Sequence, residues 1–179
     1  MADTPWEDLV FLDETATPTT MTPLRGRAPR GQRVVGRVPR RRRQHLSWLA
    51  TLTPHGIGPS MVLEGAVDRD AFDAFIEHQL VPTLRPGQIV VLDNLSVHKS
   101  AKAQAMLAAA GCRLCFLPTY SPDFNPIEQA FAKVKERLRR LQARTPDAIV
   151  AAVGLALTTI TAHDCAGFFR TAGYRHGTS

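Results

Sequence analysis

The stretch that most constrains this chain is Gln88-Ile-Val-Val-Leu-Asp93-Asn94. Four branched apolar residues follow the Pro86-Gly87 turn, which reads as a short strand buried on both faces. A chain with such a strand needs other strands beside it and helices above and below it. The acid at its carboxyl end then falls where open α/β sheets place their ligands. Leu9-Val-Phe-Leu12 reads as a second buried strand, again closed by an acid, Asp13. Glu128 opens a predicted helix over Pro126–Leu141, with Asn125 as its N-cap, Pro126 at its first position and Glu128 at the third.

The remaining elements follow from periodicity and punctuation. His45–Thr53 alternates as a strand with Leu46, Trp48, Ala50 and Leu52 on one face. A turn over Pro54–Gly58 leads into a pairing strand at Ser60–Val67. Asp70 caps a helix carrying Phe72, Phe75, Ile76 and Leu80, ended by Pro82. Ser100 caps a helix over Ala101–Ala110, and Gly111 takes the left-handed position after it. Cys112–Leu117 is a strand, and Thr145-Pro146 starts a last helix with Ile149, Val153, Leu157 and Ile160 as its stripe. The order implies an α/β fold, a mixed five-stranded sheet flanked by helices. Residues 1–8 read as a short lead, 9–162 as the domain, 15–44 as a basic insertion and 163–179 as a tail packed by Phe168 and Phe169.

Charge narrows the partner. Formal net charge is +6 and the pI about 9.8, which points to an anionic partner, most simply nucleic acid. The excess is segregated: no acid occurs between Glu14 and Glu64, and nine arginines do, Arg25, Arg27, Arg30, Arg33, Arg37, Arg40, Arg41, Arg42 and Arg43. Such a patch binds phosphates without sequence preference. Lys135 and Arg139 share a helix face with Glu128, and Lys99 lies just past Asp93; Lys133, Arg137, Arg140 and Arg144 add to the basic helix surface. No run of eighteen apolar residues suggests a membrane span. There is no export leader, and three cysteines argue for a reducing cytoplasm rather than a disulfide framework. Cys112 and Cys115 fall on opposite faces of their strand, so they make no zinc site.

Three carboxylates on three elements, gathered at one sheet edge, suit divalent cations of the Mg²⁺ kind. Each also has a purely structural reading: Asp13 as a strand end, Asp93 as a turn former with Asn94, and Glu128 as a helix-start acid. Glu14 points to the opposite face from Asp13. It joins Asn94 and His98 as a residue that would support the acids from behind.

Flanking residues shift the balance. Phe11-Leu-Asp-Glu14, Val91-Leu-Asp-Asn-Leu-Ser-Val-His-Lys99 and Leu117-Pro-Thr-Tyr-Ser-Pro-Asp-Phe-Asn-Pro-Ile-Glu128 resemble bacterial insertion-sequence transposases related to the mariner superfamily (the "IS six-thirty" group). The 34 residues between Asp93 and Glu128 are the interval of that group. The resemblance spans about residues 9–174. It implies a ribonuclease H-like fold and a DDE triad of Asp13, Asp93 and Glu128. It implies Mg²⁺ or Mn²⁺, as two ions, for DNA cleavage and strand transfer, with target joining usually at TA. It further implies a homodimer in which the insertion acts as a clamp. Whole enzymes of the group carry a helix-turn-helix module ahead of the catalytic domain. The first strand here begins too early for one, so such a module is expected from an upstream reading frame joined by frameshifting. The rival readings are a silent DNA-binding remnant that regulates the intact enzyme, and a ribonuclease H-like nuclease acting on another nucleic acid. The expected location is the bacterial cytoplasm, on the nucleoid when DNA-bound.

Overall fold

The computed structural model describes residues 5–33, 35, 44–119 and 121–175. Five strands form one sheet in the order β3-β2-β1-β4-β5: β1 Leu9–Pro18, β2 His45–Thr53, β3 Gly56–Glu64, β4 Ile89–Leu92 and β5 Arg113–Phe116. The first three strands are antiparallel neighbours, whereas β4 runs parallel to both β1 and β5. Five helices cover the sheet: α1 Arg69–Phe75, α2 Ala101–Ala109, α3 Ile127–Leu141, α4 Pro146–Leu157 and α5 Ala162–Thr171. Among the described residues no single helix is long and apolar enough to cross a membrane.

The pleat of β1 and β4 sorts their side chains into two cores. Leu9, Phe11, Ile89 and Val91 face one cluster with α3, α4 and α5, through Phe131, Val134, Val153 and Phe169. Val10, Leu12, Val90 and Leu92 face the other, with Phe72 and Phe75 of α1 and Leu107 of α2. A strand apolar on both faces is stable only between such layers. Cys112 belongs to the second cluster and Cys115 packs on the first, on opposite faces as expected.

Several elements differ from the sequence reading. β1 does not stop at Leu12. It continues through Thr15–Pro18 because β2 supplies partners as far as Pro18 opposite His45, so a Thr-rich segment with little strand signal is held by its neighbour. β3 begins at Gly56, four residues earlier than predicted, and bears Pro59 on the sheet's edge strand, where a missing N–H is tolerated. The cap of α1 is Asp68, not Asp70; its carboxylate accepts from Ala71 N at 2.8 Å. After Phe75 the chain continues as a π turn over Ile76–Leu80 and a 3-10 turn over Val81–Thr83. The expected tail contains a true helix, α5, opened by a capping box between Thr161 and Asp164. Ile160 lies after α4 rather than in it. α2 with its Ser100 cap, Gly111 at φ +72°, and α4 with Thr145 and Pro146 fall as read.

Candidate active site

The parallel register brings the first two acids together. Phe11 stands opposite Val91. Two residues further on are Asp13, still in β1, and Asp93, just past the end of β4, and both line the same cleft. The face that Phe11 and Val91 share is the one α3 covers, and Glu128 sits in the first turn of α3. Asp13, Asp93 and Glu128 line one cleft of about 410 Å³, with Asn94, Leu95, Thr119, Pro122 and Asn125 among its other walls.

Each acid has a distinct environment. Asp13 is buried, at 5% exposure. Glu14 N donates to its Oδ1 at 2.7 Å, and the Asn125 amide nitrogen donates to its Oδ2 at 2.8 Å. Burial pushes its carboxyl from 3.8 up to about 7; the Glu14 N–H opposes this, while the negative charges of Asp93 and Glu128 add to it. Asp93 is partly open, its side chain 34% exposed. Its Oδ1 accepts from Leu95 N at 3.2 Å, the turn expected of it, and also meets His98 Nδ1 at 2.5 Å. Glu128 is exposed, and its side chain makes no hydrogen bond or ion pair with the described residues.

The supporting residues divide. His98, read as a support for the acids, is wholly buried, lies against the Phe72 ring with centroids 4.9 Å apart, and meets Asp93 through Nδ1. Glu14 faces the opposite side of the sheet, as read, where its carboxylate accepts from Val67 N at 3.4 Å. Among the described residues Asn94 makes no side-chain hydrogen bond to a carboxylate; its amide donates to Thr119 Oγ1 at 3.1 Å, tying the loop after β4 to the loop after β5. Asn125 is the residue that sequence reasoning missed. It was read as the N-cap of α3, but Pro126 holds that position without any side-chain cap, so Glu128 falls second in the helix rather than third. The signal was present, since Asn125 stands within the quoted motif, yet its capping preference offered a sufficient local explanation.

Among the cations, Lys135 and Arg139 are half-buried. Burial holds the Lys135 ammonium below its ordinary value, while Glu128 draws it the other way. Arg25, Arg27, Arg30, Arg33 and Lys99 are exposed. Arg37, Arg40, Arg41, Arg42 and Arg43 lie outside the described residues. Three further cations serve the fold: Lys133 pairs with Asp164 at 2.6 Å, Arg140 pairs with Glu136 at 2.5 Å, and Arg144 donates to the Met21 carbonyl.

The donor set suits a hard divalent cation in kind: three carboxylates on one cleft, one of them raised in proton affinity by burial first and by the other two besides. Among the described residues, no three His, Cys, Asp or Glu side chains already converge as a closed ligand group. The cage anticipated from sequence is therefore an open cleft. Glu128, whose side chain has three torsions and no hydrogen bond among the described residues, is the acid with the longest reach into it.

Residues 8–149 match the family model described as a DDE superfamily endonuclease. This chain belongs to that family. Solved structures with the same fold include a pre-cleavage Mos1 transpososome, at 13% identity and TM-score 0.75, covering 93% of this chain and 52% of that one. A Mos1 mariner paired-end complex with Mn matches at 14% identity and TM-score 0.69, with 93% and 52% covered. The catalytic domain of Mos1 mariner transposase matches at 13% identity and TM-score 0.63, with 93% and 76% covered. At these identities the likeness carries the fold, which is ribonuclease H-like. This DDE-family chain thus spans about half the length of the transpososome protein. Comparison with curated protein sequences returns no match.

Proposed function

We propose that this chain is the catalytic domain of a transposase, a divalent-metal-dependent endonuclease that cuts the ends of a mobile element and joins them to target DNA. The single observation that carries the reading is the register that brings Asp13 and Asp93 together, with Glu128 lining the same cleft. Membership of the endonuclease family supports it, as do fold relatives solved as a strand transfer complex and as paired-end complexes with Mn and with Mg.

Asp13, Asp93 and Glu128 would hold Mg²⁺ or Mn²⁺, as two ions, which supply a polarised nucleophile and neutralise the leaving oxygen. The chain's own groups do the rest. Asp13 and Asp93 aim oxygens into the cleft from adjacent strands, and Glu128 approaches from the helix. His98 holds Asp93 through Nδ1. Lys135 and Arg139, further along α3, face the backbone of the DNA being cut. Water attacks the phosphorus first and releases a 3′-hydroxyl; that hydroxyl then attacks the target phosphodiester, usually at TA, displacing a second 3′-oxygen. No covalent protein–DNA bond is needed. Recognition of the element's ends is assigned to a helix-turn-helix module joined to this domain by frameshift fusion, and the assembly to a homodimer on bacterial DNA.

The test is nicking of a duplex carrying the element's ends, in Mg²⁺ or Mn²⁺. Asp93→Asn abolishes nicking while the circular dichroism spectrum and salt-sensitive DNA binding persist. Nicking that survives this change overturns the assignment. Failure of both metals, even after fusion to the upstream frame, favours the silent remnant. Cleavage of RNA–DNA hybrids in preference to duplex DNA favours the broader nuclease.

A further inference from the structure

We propose that Asn125 is a positioning residue, the joint that locks the Asp13 carboxylate to the start of the helix bearing Glu128. The inference rests on the reading of Asp13 as a metal ligand. Asn125 is 5% exposed, and its Nδ2 donates to Asp13 Oδ2 at 2.8 Å across 112 residues of sequence. Its own carbonyl accepts from Glu128 N at 3.2 Å as α3 begins. One residue therefore holds one acid with its side chain and sets the turn that carries another with its backbone.

The local explanation for an asparagine here does not apply. An Asn before a helix is ordinarily a cap, but no side chain caps α3, and the N-cap is Pro126. The other half of the Asn125 amide, Oδ1, is buried with no partner among the described residues. A buried polar atom left unmet is a cost that an apolar residue of the same size would avoid. The side chain is thus kept for its nitrogen, and the nitrogen serves Asp13. With Glu14 N on Oδ1 and Asn125 on Oδ2, both oxygens are oriented. A neutral donor leaves a lone pair free on each oxygen, where a Lys or Arg would have competed with a cation for the charge.

The test uses the full chain and Mn²⁺ alone, its binding followed by the paramagnetic resonance signal of the free ion. Four proteins are compared: the parent, Asn125→Leu, Asp13→Asn and the double variant. Asn125→Leu weakens Mn²⁺ binding about 10- to 100-fold, as loss of an outer partner of a metal ligand does. In the Asp13→Asn background the same change costs nothing further, because the carboxylate it positions is gone. Unchanged affinity, or an equal loss in both backgrounds, overturns the joint and leaves Asn125 a packing residue. Should Asn125→Leu fail to fold, Asn125→Ser replaces it, too short to reach Asp13; metal-free circular dichroism reports which variant to use. Equal Mn²⁺ binding by the parent and Asp13→Asn overturns the metal site itself, a result distinct from failure of the joint alone.

Discussion

His98 meets Asp93 through Nδ1 and Oδ1 at 2.5 Å, with the imidazole wholly buried and its face 4.9 Å from the Phe72 ring. With Asp93 ionised, Nδ1 carries the proton and donates. The ring is fixed by packing, so the carboxylate it holds is fixed as well.

Replacing His98 with Ala frees that carboxylate and leaves a space beside Phe72. Cleavage at fixed, sub-saturating Mg²⁺ falls about 10- to 100-fold, and part of the loss returns at saturating metal. His98→Asn places an amide nitrogen near the position of Nδ1 and recovers more activity than His98→Ala. Equal activity of the two variants would show that packing, not the hydrogen bond, is what His98 provides.

The Asp13 carboxyl, raised from 3.8 to about 7, makes metal-free stability depend on pH. Between those values the folded chain keeps a proton that the unfolded chain has lost. Its contribution to stability is full below about pH 4 and lost as pH rises through about 7. Thermal melts in a chelator, compared with Asp13→Asn, show the variant gaining on the parent across that window and level above it. Adding Mn²⁺ near pH 6 releases protons from the parent and fewer from the variant.

Arg25 and Arg27 face Arg139 and Arg140 across a second cleft, of about 770 Å³, between the insertion and α3. Glu136 pairs with Arg140, leaving the other three for phosphates. Replacing Arg25, Arg27 or Arg139 with Ala weakens duplex binding alike for all sequences. Each reduces the slope of log affinity against log salt by about 0.9. A slope that does not move removes that arginine from the DNA path.

Phe169 is fully buried, with ring centroids 5.8 Å from Trp6, 5.3 Å from Phe11 and 5.9 Å from Tyr174. Phe169→Ala costs about 3–5 kcal/mol in denaturant unfolding, the usual penalty for emptying such a site. A loss under 1 kcal/mol would mean that α5 is an accessory and not part of the core.

Where the chain carries strong local signals, they were legible. β2 and β4 fall on the residues predicted, because alternation in one and an unbroken apolar run in the other leave little choice of structure. The Ser100 cap and the helix start at Thr145-Pro146 were equally clear. What escaped was set at long range. Thr15–Pro18 is a strand only because β2 lies beside it. Asn125 looked like a cap because its true partner is 112 residues away. The buried seat of His98 was not legible, because nothing nearby in sequence announces Phe72. α5 is the exception: Thr161-x-x-Asp164 is a readable start signal, yet the residues from 163 onward were read as a tail.

The alternation of β1 decides which of two neighbouring acids enters the cleft. Asp13 and Glu14 are adjacent and chemically alike, yet one looks into the cleft and the other toward Val67. Sliding the strand by a single residue would exchange them, trading a short, doubly anchored carboxylate for a longer arm with no amide waiting for it. A plain backbone ladder thus selects the carboxylate offered to the cleft, and an insertion or deletion anywhere in Leu9–Phe11 would change that choice without altering a single acid.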